Sequence, residues 1–304
     1  MNAKKTNYWQ DSNQDGFGHW IESHGYSAKT AQTYGSMIFA YFDYIESKGI
    51  NIELSNKTIT DHFFKTRQIG NKTKNTYLWL ISDIMDDMID CGHISINNVA
   101  AVLDKKRTGM RGKTAKRLPT VLSAKETDLL MAYIEKLPKQ YGYQRERCAL
   151  LLLLGTGLRA QELCDLKTSD MHLNDESPYI NVIGKFDKER VIPLPESIIG
   201  ALLDFKEMKA DKARASVHFL SALASGNGYV TSSVYRMVNT ALIDAGIVKS
   251  KLSPHVLRHT FITRQLTQGV SLVQVKNWAG HESIATTAIY EHVATAIHGA
   301  RTVI

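Results

Sequence analysis

The sequence predicts a mainly α protein in two domains, the first all-helical and the second mostly helical with a small antiparallel β-sheet. Three observations carry this. Apolar residues recur at helical spacing on both sides of a basic, glycine-containing segment, strand-like runs are confined to one short stretch, and the basic segment itself has no apolar periodicity. With 304 residues, 43% of them hydrophobic and 22% charged, the chain has material for two cores and no signature of disorder.

Residues 1–12 are expected to form a short N-terminal extension. A helix follows near Gly16 to Ser23, and Tyr34, Met37, Ile38, Tyr41, Phe42 and Ile45 mark a longer one. A shorter helix is expected around Ile59 to Arg67. Tyr77, Leu80, Ile81, Ile84, Met85 and Met88 mark another, completing a helical domain over 13–103. The polar run Asn71 to Thr76 leads into this last helix. It reads either as an ordinary capped loop or as a place where Lys72, Lys74 and backbone N–H groups meet phosphates.

Within residues 104–117, seven Lys or Arg (Lys105, Lys106, Arg107, Arg111, Lys113, Lys116 and Arg117) stand against one Asp. This segment holds most of the chain's net charge of +7. It is expected to be an interdomain linker over 104–119, either simply solvated or in contact with a polyanion. Pro119 and the capping-box pattern from Ser123 to Glu126 then open a second domain over 120–304. There the apolar run Ala149 to Leu154 reads as a buried helix, far short of the roughly 20 residues that cross a bilayer. Residues 179–183 and 191–194 read as a strand pair flanking a charged hairpin tip.

No apolar segment follows the N-terminal lysines, so no secretory signal is expected and the cytoplasm is the simplest location. Cys91, Cys148 and Cys164 are odd in number and far apart. That fits neither a disulfide framework nor a close ligand set, and reduced structural thiols are expected.

Three stretches carry candidate chemistry. In the first, Gly157 ends one helix and Arg159 opens the next, an unfavourable place for a cation unless an anion shares it. Glu162, three residues on, is placed to orient the guanidinium or to form a plain ion pair. In the second, Ser253 is a natural N-cap and Pro254 a natural first helical residue, and His255 and Arg258 share a face of the first turn. His255 and His259 at i and i+4 raise zinc, but no HExxH pattern or third ligand supports a metal. In the third, Gly280 ends a helix, His281 sits in the turn and Ser283 can cap the next helix. There Ile284, Ala285, Ala288 and Ile289 form an apolar stripe, with Tyr290 expected on the opposite side and so outside the core.

In their order, Gly155-Thr-Gly-Leu-Arg159-x-x-Glu162, Gly184-Lys185 followed by Glu189-Arg-Val-Ile-Pro-Leu194, His255-x-x-Arg258-His259, Gly280-His281 and Tyr290, these stretches resemble the tyrosine recombinase (phage integrase) family. The motifs span Gly155 to His292, and the helical domain and basic linker match as well, so the resemblance covers nearly the whole chain. It implies a SAM-like helical core-binding domain followed by the recombinase catalytic fold. It also implies site-specific cleavage and rejoining of DNA through a 3′-phosphotyrosyl intermediate, with Tyr290 as nucleophile. Arg159 and Arg258 would grip the non-bridging oxygens, and Lys185, with Lys188 as the alternative, would protonate the leaving 5′-oxygen. His255 and His281 would bond the phosphate or move the tyrosine proton, their division of labour open, with Glu162 and His292 in support. No cofactor and no metal are implied. The implied partners are double-stranded DNA carrying two recombination sites and a homotetramer assembled on it, with room for accessory DNA-bending proteins and no membrane.

Phe186 and Asp187 depart from the residues common after this lysine in the family, and Glu291 separates Tyr290 from His292. The dozen residues ahead of the first expected helix suggest a simple recombinase without an arm-binding domain, resembling Xer, integron or transposon-resolution enzymes. Two alternatives are a type IB topoisomerase, which the compact helical domain and basic linker disfavour, and a DNA-binding protein that has lost catalysis, which the intact residue set disfavours.

Overall fold

The computed structural model describes residues 7–103, 119–184, 188–212 and 215–298, without the side chains of Lys72, Lys212, His292 and residues 295–298. The chain divides into two compact units, Met1–Ala115 and Lys116–Ile304. The seven basic linker residues and Lys185 lie outside the described residues.

The first unit is helical: α1 (Asn13–Ser23), α2 (Ala28–Ser47), α3 (Lys57–Thr66) and α4 (Asn71–Asp90). The side chains of Ser12, Ser27 and Asn56 cap α1, α2 and α3 by accepting from backbone N–H groups of the first turn. Trp20, Tyr41, Phe63, Ile81 and Met85 pack one aromatic-rich core between them. The segment ahead of α1 belongs to this core, because Trp9 is buried and its indole N–H donates to Asp87 Oδ2 at 2.9 Å. The polar run Asn71 to Thr76 is not a lead-in to α4 but its first turns, begun by Gly70 without a side-chain cap.

The second unit opens with α5 (Ala124–Lys136), whose capping box has both expected bonds, and α6 (Tyr141–Thr156), in which Ala149 to Leu154 are all buried. Gly157 ends α6 at φ +66°, a left-handed conformation that glycine tolerates, and α7 (Ala160–Asp165) follows. The sheet has three antiparallel strands rather than the expected pair: β1 (Met171–His172), β2 (Tyr179–Ile183) and β3 (Glu189–Pro193), in that order. Ile180 pairs with Ile192 in register and both are buried. Two residues are too few to show a strand period, which is why β1 leaves no trace in the pattern. Then come α8 (Glu196–Lys212), α9 (Thr231–Asp244), α10 (Pro254–Thr267), α11 (Leu272–Ala279) and α12 (Ile284–His298).

One core joins α5 to α9 and the sheet, and a smaller one gathers Phe261, Ile262, Val275, Ala279 and Tyr290 from α10, α11 and α12. The three cysteines are buried, and none of them is in a disulfide. Among the described residues no helix is long and apolar enough to cross a membrane.

Gly157 is a tight joint between α6 and α10. A Cβ there would lie 2.4 Å from Phe261 Cδ1 on a backbone already at positive φ. Gly157→Ala is therefore expected to destabilise the second unit by about 1–3 kcal/mol from overpacking alone, read as a lower urea midpoint.

Candidate active site

The site is assembled from chain turns at three helix junctions plus one strand. Arg159 is the N-cap of α7, and Glu162 in that helix reaches back to accept from the Arg159 backbone N–H at 2.8 Å. The same carboxylate takes Arg159 Nη1 on Oε1 and Arg190 Nη2 on Oε2, both at 2.8 Å. Burial alone would raise Glu162, but the bonds to Arg190 and Arg159 outweigh it and hold its carboxyl below the usual range.

These arginines are tied onward to the end of α11. Arg159 Nη2 donates to Gly280 O at 2.8 Å, and Arg190 Nε donates to Trp278 O at 2.9 Å. Gly280 closes α11 at φ +61°, and a Cβ on it would lie 3.1 Å from the Arg190 guanidinium. Arg258, 4% exposed on α10, donates from Nη1 to Gly157 O at 2.7 Å and from Nη2 to Ala279 O. Burial, then the charge of Arg159, lowers its pKa to about 10, well above neutrality, so it stays cationic.

The cationic ends of three arginines thus converge on helix C-terminal carbonyls, where the macrodipole favours positive charge. Among the described residues one carboxylate is bonded to them, which leaves two positive charges in excess in a partly desolvated place.

Three histidines and Tyr290 complete the site. His281, in the turn after Gly280, meets Thr287 Oγ1 through Nδ1 at 2.9 Å, and its ring lies 6.3 Å from that of Tyr290. Burial, followed by the charges of Arg258 and Arg159, depresses it to about 4. His255 is exposed, and its Nε2 meets the Tyr235 hydroxyl at 3.0 Å. It therefore shares a helical turn with Arg258 but not its burial. Ser253 has the extended backbone of an N-cap and Pro254 follows at the first helical position, yet the serine side chain makes no cap bond.

Tyr290 corrects the expectation drawn from the apolar stripe. It is 5% exposed and packs with Phe261, Val275 and Ala279, while Ile284 is 46% exposed. Its position is set by the α10 and α11 surface that α12 meets, which no single-helix projection contains. Its hydroxyl lies 2.6 Å from Nδ1 of His259, and burial raises its pKa while Arg258 pulls it back.

Of the residues picked out in sequence, Arg159, Glu162, Arg258, His281 and Tyr290 come together, with His255 at the exposed margin. His292 lies on α12, in backbone only, and Lys188 is exposed at the β3 end of the hairpin. Lys74 places its ammonium 5.8 Å from the Phe64 ring centroid, in the other unit. Sequence reasoning misses Arg190, which it reads only as the end of the charged hairpin tip, whereas the residue lies within β3. It passes over His259 except as a zinc ligand. Among the described residues no group of three His, Cys, Asp or Glu side chains is placed to hold a metal.

The family model of the phage integrase family matches residues 120–296, more than half of the chain and the whole of this site. The chain belongs to the phage integrase family, the tyrosine recombinases. Among curated members, tyrosine recombinase XerD of Listeria monocytogenes serotype 4b is 28% identical over 281 residues, covering 90% of this chain and 91% of its own length. The Listeria innocua XerD is 34% identical over 184 residues, and the match spans 60% of each chain. Among solved structures, XerH site-specific recombinase bound to a palindromic difH substrate superposes with a TM-score of 0.75 at 21% identity. That match covers 94% of this chain and 82% of the other, and it shows that the mainly helical fold is the recombinase fold.

Removing the Glu162 charge tests the clamp. Glu162→Gln is expected to cost about 3–5 kcal/mol at neutral pH, because it leaves buried guanidinium charge without its partner. A carboxyl held below its ordinary 4.5 contributes its full stability above that value and loses it as pH falls through the lower folded value. The gap between wild type and variant in urea denaturation should therefore be constant above pH 4.5 and narrow progressively as the pH falls below it.

Proposed function

We propose that this chain is a site-specific DNA recombinase that cleaves and rejoins DNA through a 3′-phosphotyrosyl bond on Tyr290. The observation that carries this reading is the excess of positive charge beside a buried tyrosine hydroxyl: Arg159, Arg190 and Arg258 around the Glu162 carboxylate. Such a cage suits one phosphodiester anion. Arg159 commits one N–H group to Glu162 and one to Gly280 O, Arg258 commits one each to the carbonyls of Gly157 and Ala279, and a guanidinium carries five, so donors are left for non-bridging oxygens. Held in place before substrate arrives, they would stabilise the charge that grows as Tyr290 Oη adds to phosphorus.

In this reading the P–O5′ bond breaks as the P–Oη bond forms, and Lys185, or Lys188 in its stead, protonates the departing oxygen. His281 stands beside the tyrosine ring and bonds the phosphate, and His255 lines the open margin. The covalent ester stores the cleaved bond, so a 5′-hydroxyl from either duplex reseals it without a nucleotide cofactor or a metal. The substrate is double-stranded DNA with two sites, gathered by four copies of the chain, with accessory DNA-bending proteins where the site requires them, in the cytoplasm. Residues 13–103 and 120–304 act as DNA-holding and catalytic domains joined by the basic linker 104–119. The XerD relatives and the DNA-bound XerH structure support this reading.

Two measurements check it. Nicked suicide duplexes carrying candidate sites from the chain's own genetic neighbourhood should give a denaturation-resistant protein–DNA adduct without metal or ATP, and Tyr290→Phe should abolish it. Replacing Lys105, Lys106 and Arg107 by alanine should weaken binding and flatten the salt dependence by roughly 0.9 in slope for each phosphate that is no longer neutralised. A slope identical to wild type would show that these linker residues do not touch the DNA.

A further inference from the structure

An attacking tyrosine needs somewhere to send its proton, and one histidine outside the expected set already holds it. Resting on the reading of Tyr290 as nucleophile, we propose that His259 is a further catalytic residue, the base that takes the phenolic proton during attack and returns it on resealing.

The geometry is specific to this histidine. His259 Nδ1 lies 2.6 Å from Tyr290 Oη, within hydrogen-bond reach, with ring centroids 5.5 Å apart. The other two are engaged elsewhere: Nδ1 of His281 with Thr287 Oγ1, and Nε2 of His255 with the Tyr235 hydroxyl. His259 directly follows Arg258 in α10, so the backbone that aims the guanidinium into the cage also aims this imidazole at the nucleophile. Phe261 and Ile262 fix that helix in the same small core that holds the tyrosine ring.

The protonation states agree. Burial, then His255 and Arg258, depresses His259 to about 4, so at neutral pH it is an uncharged imidazole. Burial raises Tyr290, so the hydroxyl remains protonated and donates to Nδ1, which places the imidazole proton on Nε2. A base depressed this far is weak at rest. A phosphodiester anion held by Arg159 and Arg258 would offset the guanidinium field and strengthen it when substrate is bound.

Every proton and bond is accounted for. The Oη–H bond breaks with its proton passing to Nδ1, Oη forms its bond to phosphorus, and P–O5′ breaks with the 5′-oxygen protonated by its own acid. On resealing the 5′-hydroxyl attacks phosphorus and gives its proton back to that acid, P–Oη breaks, and the imidazolium returns its proton to Oη.

The test uses the full chain on a nicked duplex that the wild type converts to adduct and Tyr290→Phe does not. Failure of the wild type itself would overturn the recombinase reading, and this inference with it. Given that baseline, His259→Asn keeps a polar atom near the Nδ1 position but cannot accept a proton. Its single-turnover adduct formation is expected to fall by about 10²–10⁴-fold with DNA affinity unchanged. Installing 3-fluorotyrosine at position 290, a more acidic phenol, should then recover part of the His259→Asn rate. His259→Gln repeats the comparison if asparagine loosens α10. An adduct rate within about threefold of wild type, well short of a general base's share, would overturn the proposal. So would a defect that fluorotyrosine leaves unchanged, since His259 would then only position the ring.

Discussion

The buried carboxylate of Glu162 is the contact on which the rest of the site depends. It accepts from one backbone N–H and two guanidiniums, and those arginines come from the turn between α6 and α7 and from β3. Through their second bonds to Gly280 O and Trp278 O they pin the C-terminus of α11, and so fix the turn that carries His281. Arg258 adds a third tie, from α10 to the carbonyls of Gly157 and Ala279. Like charges are thus held close by one anion and by helix-end dipoles, an arrangement that leaves charge to spare for a phosphate.

The nucleophile is treated differently. Tyr290 sits against apolar side chains with its hydroxyl on a neutral histidine, so neither partner carries charge in the resting protein. Burial keeps the phenol protonated and the imidazoles of His259 and His281 unprotonated, while the arginines supply the positive charge. The division separates electrostatic stabilisation, which is permanent, from proton transfer, which is called up only when a phosphodiester alters the local field.

What can be read from sequence is local. Gly157 and Gly280 as helix stops, Pro254 as a helix start, and Glu162 reaching back to Arg159 all follow from contacts within a few residues. Arg190 is invisible there because its partners lie 28 and 88 residues away in sequence. His259 is invisible as a base because Tyr290 is 31 residues further on. The face of Tyr290 is misjudged for a related reason: the side of α12 that is buried is chosen by α10 and α11, and they take the tyrosine over Ile284. The polar opening of α4 fails in the opposite direction, since a solvated helix surface and a loop have the same composition there.

The most direct test of the central claim, that this charged cage delivers a phosphodiester to one tyrosine, is to digest the trapped protein–DNA complex and identify the residue bearing the nucleotide by mass spectrometry. The expected result is a single modified peptide with the nucleotide on Tyr290. A nucleotide carried by any other side chain would contradict the account, as would an adduct that survives with Tyr290 unmodified.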